Sequence, residues 1–266
     1  MILFSLFTFA IFWNLLILNK ESKCIQSTSS AVVHQTSINS IARQQTRIVD
    51  RFRFNRGSLI NVGFQLAQNS CTYIAMHDVD LLPLNDQLSY EFPYNGPFHV
   101  SSPSLHPNYH YKTYVGGIML ISNEHFKLVN GFSNNYFGWG LEDDEFYARL
   151  MEANLKIYRP ENIQTNQSNT FAHIHDRNVY KRDTAKLFNQ KEVTRKRDRK
   201  TGLNTTKFNL LNIYHMSIEN IEFRIFNVAI ECNVDRTPWC LKQPSSSSSS
   251  SIKFKNQLQQ QPQLNH

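Results

Sequence analysis

A short apolar stretch, Thr72–Met76, runs without a spacer into His77-Asp78-Val79-Asp80, and no other part of the 266-residue sequence limits the architecture as strongly. Such a stretch reads as a short buried strand. In an open α/β sheet, ligands bind outside the carboxyl ends of strands, so two carboxylates arrive where a ligand sits. Asp78 and Asp80 can take different tasks there, one on a ribose and one on a divalent cation. The same pair also suits a turn in which one Asp caps a neighbouring helix. Around this element, Ser58–Gln68 carries the apolar stripe of a short helix, and Phe98–Ser101 and Val115–Ile121 read as strands. Ser122 is placed to cap a short helix that stops at Gly131, and Glu142–Asn154 reads as a helix with acids in its first turn. Leu155–Tyr158 is a further strand before Pro160. Alternating helices and strands predict an α/β sandwich.

The two ends read differently. Ile2–Leu18 is an uncharged, mostly apolar run with Lys20 and Lys23 behind it, so residues 1–20 are expected to be a signal peptide or signal anchor that brings the chain to a membrane. Residues 21–46 are rich in Ser, Thr and Gln and read as a stem or linker. Ser245–Ser251 is a run of seven serines followed by a Gln-rich stretch, so residues 243–266 are expected to be a disordered tail. The folded domain is then 47–242. Cys232 and Cys240 enclose a short Pro-containing loop that suits a local disulfide in an oxidising compartment, while Cys71 before a strand reads as a buried thiol and Cys24 has no evident partner. Asn166-Gln-Ser and Asn204-Thr-Thr are glycosylation sequons.

The formal charge of +7 is local: residues 177–200 hold ten Lys/Arg and three Asp/Glu, which leaves the rest of the chain neutral. No aromatic residues interleave Arg195-Lys196-Arg197-Asp198-Arg199-Lys200 and no nucleic-acid-binding motif precedes them, so no nucleic acid is expected as a partner. A solvated helical face and attraction to an acidic acceptor are the two readings of this segment.

His173-Ile174-His175 in an extended segment puts both imidazoles on one face, since strand side chains repeat every two residues. One carboxylate, two imidazoles and phosphate oxygens suit a six-coordinate Mn²⁺. Gly138-Trp139-Gly140 lets a large aromatic ring swing, as a lid over a sugar does, and Glu142-Asp143-Asp144 directly behind it offers a carboxylate at a helix start as a general base. Ordinary acidic capping accounts for Asp144 and Glu145 but not for the Gly-Trp-Gly.

Phe54-Asn55-Arg56-Gly57, Leu59-Ile60-Asn61-Val62-Gly63-Phe64, His77-Asp78-Val79-Asp80-Leu81-Leu82-Pro83, Tyr114-Val115-Gly116-Gly117 and Gly138–Asp144 resemble the β-1,4-galactosyltransferase family. The resemblance runs from Arg51 to Cys240, about 190 residues. Met76–Asn85, Leu105-His106-Pro107, Tyr109–Tyr114 and His173–Asp176 are similar to the branch of the family that galactosylates protein-linked xylose. The resemblance implies a GT-A-type nucleotide-sugar glycosyltransferase fold. Asp80, His173 and His175 match the Mn²⁺ ligands, and Asp78 matches the carboxylate that faces the ribose. Phe54 and Arg56 match the uridine-contacting segment, and Tyr114 matches the position that shapes donor choice. Asp143 matches the general base, Trp139 with Gly140 the mobile lid, and Glu142 a residue that holds the sugars beside Asp144. Phe137 stands where the family usually has Trp.

The implied reaction is inverting transfer of galactose from UDP-galactose to O4 of protein-linked xylose, in a Golgi lumenal domain whose acceptor is a xylosylated proteoglycan core protein. The family also carries a strand and a basic Pro-Phe-Arg turn ahead of the Phe-Asn-Arg segment. Residues 1–50 hold no such turn, so the fold is expected to be N-terminally truncated, with an exposed sheet edge and a weakened donor pocket. The competing class is a non-catalytic relative that binds metal or sugar weakly.

Overall fold

In chain order the computed structural model, which describes residues 14–17, 29–35, 52–218 and 221–242, runs β1 (Asn14–Ile17), β2 (Ser29–Gln35), α1 (Arg56–Ala67), β3 (Tyr73–Asp78), β4 (Leu81–Pro83), β5 (Phe98–His99), β6 (Ile118–Ser122), α2 (Asn123–Leu128), α3 (Glu142–Glu152), β7 (Phe171–His173), α4 (Gln190–Val193), β8 (Phe208–Ile218) and β9 (Ile221–Ile230). Seven of the strands form one mixed sheet in the order β5-β6-β3-β1-β2-β9-β8, and β4 and β7 form a separate ribbon. Among the described strands only the β2–β9 pairing is parallel.

Strands β3 and β6 lie side by side, Met76 opposite Met119, and are buried on both faces. Their apolar run without alternation follows from that burial. Helix α1 is enclosed almost all round by Leu59, Ile60, Val62, Phe64 and Ala67. Each fully buried aliphatic or aromatic side chain of this kind contributes about 1.5–3 kcal/mol relative to exposure. Its first turn is fixed by Asn55, whose side chain accepts from Ser58 N at 2.9 Å. Inside the same helix, Asn61 exchanges two hydrogen bonds with the Phe132 backbone, accepting at 2.9 Å and donating at 2.8 Å. A polar side chain is therefore satisfied within the core.

Several expectations are met closely: the helices after Asn55, Ser122 and Leu141, the strand before Asp78, the buried Cys71 and the Cys232–Cys240 disulfide. Others are corrected. Leu155–Tyr158 is not a strand; it touches the sheet through one bridge from Tyr158 to Phe98. The expected exposed edge beside β3 is filled, because β1 pairs with it antiparallel, Leu16 opposite Met76. Asn14–Ile17 of the apolar run and Ser29–Gln35 of the expected linker are thus sheet strands. The rest of the leader, the remainder of the linker, Cys24 and the Ser/Gln-rich tail lie outside the described residues. Among the described residues no helix is long and apolar enough to cross a membrane. The basic segment is not a helical face either, since only Gln190–Val193 within it is helical.

Candidate functional site

A cavity of about 700 Å³ opens where β3, the β4–β7 ribbon and the start of α3 meet. Every expected site residue of the chemistry lines it: Phe54, Arg56, Asp78, Asp80, Tyr114, Trp139, Gly140, Glu142, Asp143, Asp144, His173 and His175.

The ribbon brings the first cluster together. Leu81 pairs with His173 in register and Ile174 N donates to Asp80 O at 2.8 Å, so residues far apart in sequence share one corner. His173 Nε2 and His175 Nδ1 approach the same carboxylate oxygen, Asp80 Oδ2, at 3.6 and 3.2 Å. Among the described residues no three such donors are already drawn into a metal site. The donor set nevertheless fits a divalent cation: two nitrogens from separate rings face one oxygen, and His175 Nε2 is buried without a hydrogen-bond partner. Burial lowers the proton affinity of His173, with the Asp80 charge only partly opposing it, which keeps the imidazole neutral and able to donate a lone pair.

Arg56, the first residue of α1, knits the second cluster. Its guanidinium donates to Asp78 Oδ1 from Nε at 3.1 Å and from Nη2 at 2.8 Å, and lies 3.9 Å from Glu142. Burial disfavours its charge, but Asp78, Glu142 and Asp143 more than offset that and hold the proton firmly. Asp78 is therefore already ion-paired at the floor of the cavity.

Helix α3 starts abruptly. Gly138 and Gly140 sit at φ +80° and +96°, and Leu141 at +79°, so three residues in left-handed backbone turn the chain into the helix. No side chain caps it; instead Glu142, Asp143, Asp144 and Glu145 crowd its first turn. Asp143 Oδ1 accepts from Asp144 N at 3.0 Å. Desolvation, and then the charges of Glu142 and Asp144, push the Asp143 carboxyl up to about 8 against the pull of Arg56. Burial likewise raises Glu142, whose Oε2 has no partner. Closely packed carboxyls whose proton affinity burial raises suit acid–base work.

Tyr114 is buried within an aromatic nest of His99, His106, Tyr109 and Tyr111, with ring centroids 5.1–5.4 Å away. The two histidines are neutral: burial pushes His99 down to about 3 and His106 to about 4. Gly116 is what lets Tyr114 meet Asp143. A methyl there would lie 2.7 Å from the Tyr114 ring and 2.8 Å from Asp143 Oδ2. We expect Gly116→Ala to displace these two groups and lower any catalysis in the cavity at least about tenfold, with the thermal midpoint little changed. Steady-state kinetics beside a melting curve checks this.

Trp139, the expected lid, is tethered. Trp139 N donates to Asp183 O at 2.7 Å, Lys186 Nζ donates to Trp139 O at 3.0 Å, and the Arg182 guanidinium lies 4.9 Å over its ring while also donating to the Tyr109 hydroxyl. Sequence reasoning missed the residue beneath this arrangement. Arg53, 2% exposed, donates to Asp183 at 2.7 and 3.0 Å, to Gln190 at 2.9 Å and to the carbonyls of Ala185 and Trp239. It also occupies the space a side chain at Gly138 would need. A lone Arg whose partners lie more than a hundred residues away leaves no local signal. His106, Arg182 and Gly116 were also missed as site residues, because their contacts with Tyr114, Trp139 and Asp143 form only in the fold.

A family model described as the N-terminal domain of galactosyltransferase matches residues 96–174. The chain is 58% identical over 193 residues to β-1,4-galactosyltransferase 7 of Drosophila melanogaster and 53% over 192 residues to that of Homo sapiens, covering 72% of this chain and 60% and 58% of theirs. It is 43% identical to the xylosylprotein 4-β-galactosyltransferase of Caenorhabditis elegans, over 72% of this chain and 68% of that one. The chain thus spans about 60% of the length of the first of these relatives. Among solved structures, the catalytic domain of Drosophila β1,4-galactosyltransferase 7 in complex with xylobiose superposes with a TM-score of 0.72 at 58% identity, covering 73% of this chain and 82% of that one. A mutant of the same Drosophila protein, in complex with manganese, UDP-Gal and xylobiose, superposes equally well. The α/β fold is of the GT-A type, as expected. The chain belongs to the β-1,4-galactosyltransferase family.

Proposed function

We propose that this chain transfers galactose, with inversion, from UDP-galactose to O4 of protein-linked xylose in the glycosaminoglycan–protein linker. The observation that carries this reading is the single cavity in which a raised carboxyl at a helix start faces a carboxylate–imidazole cluster beneath a tryptophan. The manganese, UDP-Gal and xylobiose of the Drosophila complex support it.

Asp143 takes the xylose O4 proton as O4 bonds to the anomeric carbon and the bond from that carbon to the diphosphate oxygen breaks, releasing UDP. A single displacement of this kind needs no covalent intermediate on the protein and inverts the anomeric centre. Asp80, His173 and His175 hold Mn²⁺, which supplies charge neutralisation of the departing diphosphate when bound. Phe54, Arg56 and Asp78 receive the nucleoside, and Tyr114 shapes the donor choice between galactose and its N-acetylated relative. Trp139, Gly140 and Glu142 with Asp144 enclose the two sugars and exclude water.

The test is galactose transfer to a small xyloside with Mn²⁺, measured beside donor binding. Donor binding with no transfer would favour the non-catalytic alternative. His173→Ala and His175→Ala should each abolish both Mn²⁺ binding and Mn²⁺-dependent transfer, since either removes one of three protein ligands. Normal Mn²⁺ titration curves in both variants would reject this ligand set.

The xylosylated acceptor is a proteoglycan core protein, and the compartment we propose is the Golgi lumen. The Cys232–Cys240 disulfide and the exposed sequons at Asn166 and Asn204 support an oxidising lumenal location.

A further inference from the structure

The basic segment begins at the cavity and leads away from it. Tyr180, Arg182, Thr184 and Lys186 line the rim. Beyond them Gln190 donates to Phe137 O, Thr194 O accepts from the Tyr136 hydroxyl, and Arg197 reaches Glu145 and Glu152 of α3. The chain is thus pinned along one side of the molecule, from the lid to the far end of α3.

Its acids and some of its cations are consumed internally. Asp183 is held by Arg53, and Asp198 by Ser133, Asn135 and Thr201, while Arg197 and Arg199 are paired with Glu145 and Glu152. Left outward are Arg177, Lys181, Lys191, Arg195, Lys196 and Lys200, all exposed and without an ion pair among the described residues. Among the described residues 176–200, Asp176 and Glu192 are the exposed acids outside an ion pair. The rest of the chain sums to zero charge, so the net positive charge of the protein lies on this strip.

We propose that this strip docks an acidic polypeptide, namely the stretch of the acceptor chain that flanks its sugar. The inference rests on the transferase reading above. If a protein-linked sugar occupies the cavity, its polypeptide must leave over the rim, and the surface continuous with the rim is cationic. Phe188, 64% exposed between Lys186 and Lys191, adds an apolar contact that a peptide side chain can cover. Complementary charge of this kind acts on encounter and register, and is screened by salt.

The test compares two fluorescent peptides on the full chain by anisotropy. One carries acidic residues around a xylosylated serine; the other carries glutamine in their place. At low salt the acidic peptide should bind about tenfold more tightly, and 0.5 M salt should remove about all of that preference. The variant Lys191→Gln/Arg195→Gln/Lys196→Gln should lose most of the preference while turning over a small neutral xyloside at the wild-type rate. Equal binding of the two peptides, or a preference that survives the triple substitution, overturns the proposal. So does an oligonucleotide of equal charge that binds as tightly as the acidic peptide. Binding is read without turnover, so the peptide comparison stands or falls by itself. The transferase reading fails separately, if the small xyloside is not galactosylated.

Discussion

Replacing Asp143 with asparagine should leave UDP-galactose binding intact and lower transfer to a xyloside by about 10²–10⁴-fold, the range over which a positioned base contributes. The amide keeps the size and the hydrogen bond to Asp144 N but cannot take a proton. The pH dependence supplies a second readout. Desolvation, with Glu142 and Asp144 beside it, raises Asp143 to about 8, so the base is mostly protonated at neutral pH in the free protein. The kcat/KM of the unaltered chain should therefore rise with pH through a limb near 8, and that limb should vanish in Asp143→Asn. The sign for stability is opposite. Between the ordinary carboxylate range and about 8 the folded chain keeps a proton that the unfolded chain has released, so this group makes stability fall as pH rises through that window. A parallel loss of donor affinity in the variant would show that Asp143 binds substrate and does not act as the base.

Arg149→Met should destabilise the fold by about 3–5 kcal/mol, the cost of removing one partner from a buried ion pair. Glu145 is 5% exposed and receives Arg149 Nε at 2.8 and 3.1 Å. Burial raises the Glu145 carboxyl even with Arg149 and Arg197 opposing it. The other Arg149 nitrogens donate to the carbonyls of Asn130, Gly131, Asp198 and Thr201, so one side chain ties α3 to the loop after α2 and to the end of the basic segment. Denaturant unfolding measures the loss. Substituting Glu145→Met as well should recover part of it, because the stranded charge is then gone. A loss below about 1 kcal/mol would mean that Arg197 alone satisfies Glu145.

The sequence carried the parts of the fold whose signals are local. Helix α1, strand β3 and helix α3 each show a complete pattern: an apolar stripe behind Asn55, an apolar run before Asp78, four acids behind Gly140. The site was legible in type because Asp80, His173 and His175 are metal-ligand chemistry at recognisable spacing, and the two-residue period puts the histidines on one side. The β8–β9 hairpin was not legible. Asn209, Asn212 and His215 interrupt β8, and the strand lies exposed along most of its length as the outer strand of the sheet, so no buried face imposes an alternation. The N-terminal strands were hidden by composition: an apolar run satisfies a leader and strand β1 equally well, and β2 lies in a Ser-rich stretch that reads as a linker. Leu155–Tyr158 failed in the opposite sense: apolar residues there pack against the core and meet β5 through one bridge instead of a ladder.

Arg53 carries one more implication. Its backbone N–H is held by the Cys240 carbonyl at 2.7 Å and its guanidinium by the Trp239 carbonyl, while the same side chain presses on Gly138 and grips Asp183 behind the tryptophan. The cystine loop and the lid thus share a single rigid strut. Opening the Cys232–Cys240 bond frees the segment that anchors one end of this strut, so the thiol state of a loop remote from the cavity sets how firmly Trp139 is seated. Reductants added in purification should then lower the transfer proposed above without touching any residue of the pocket.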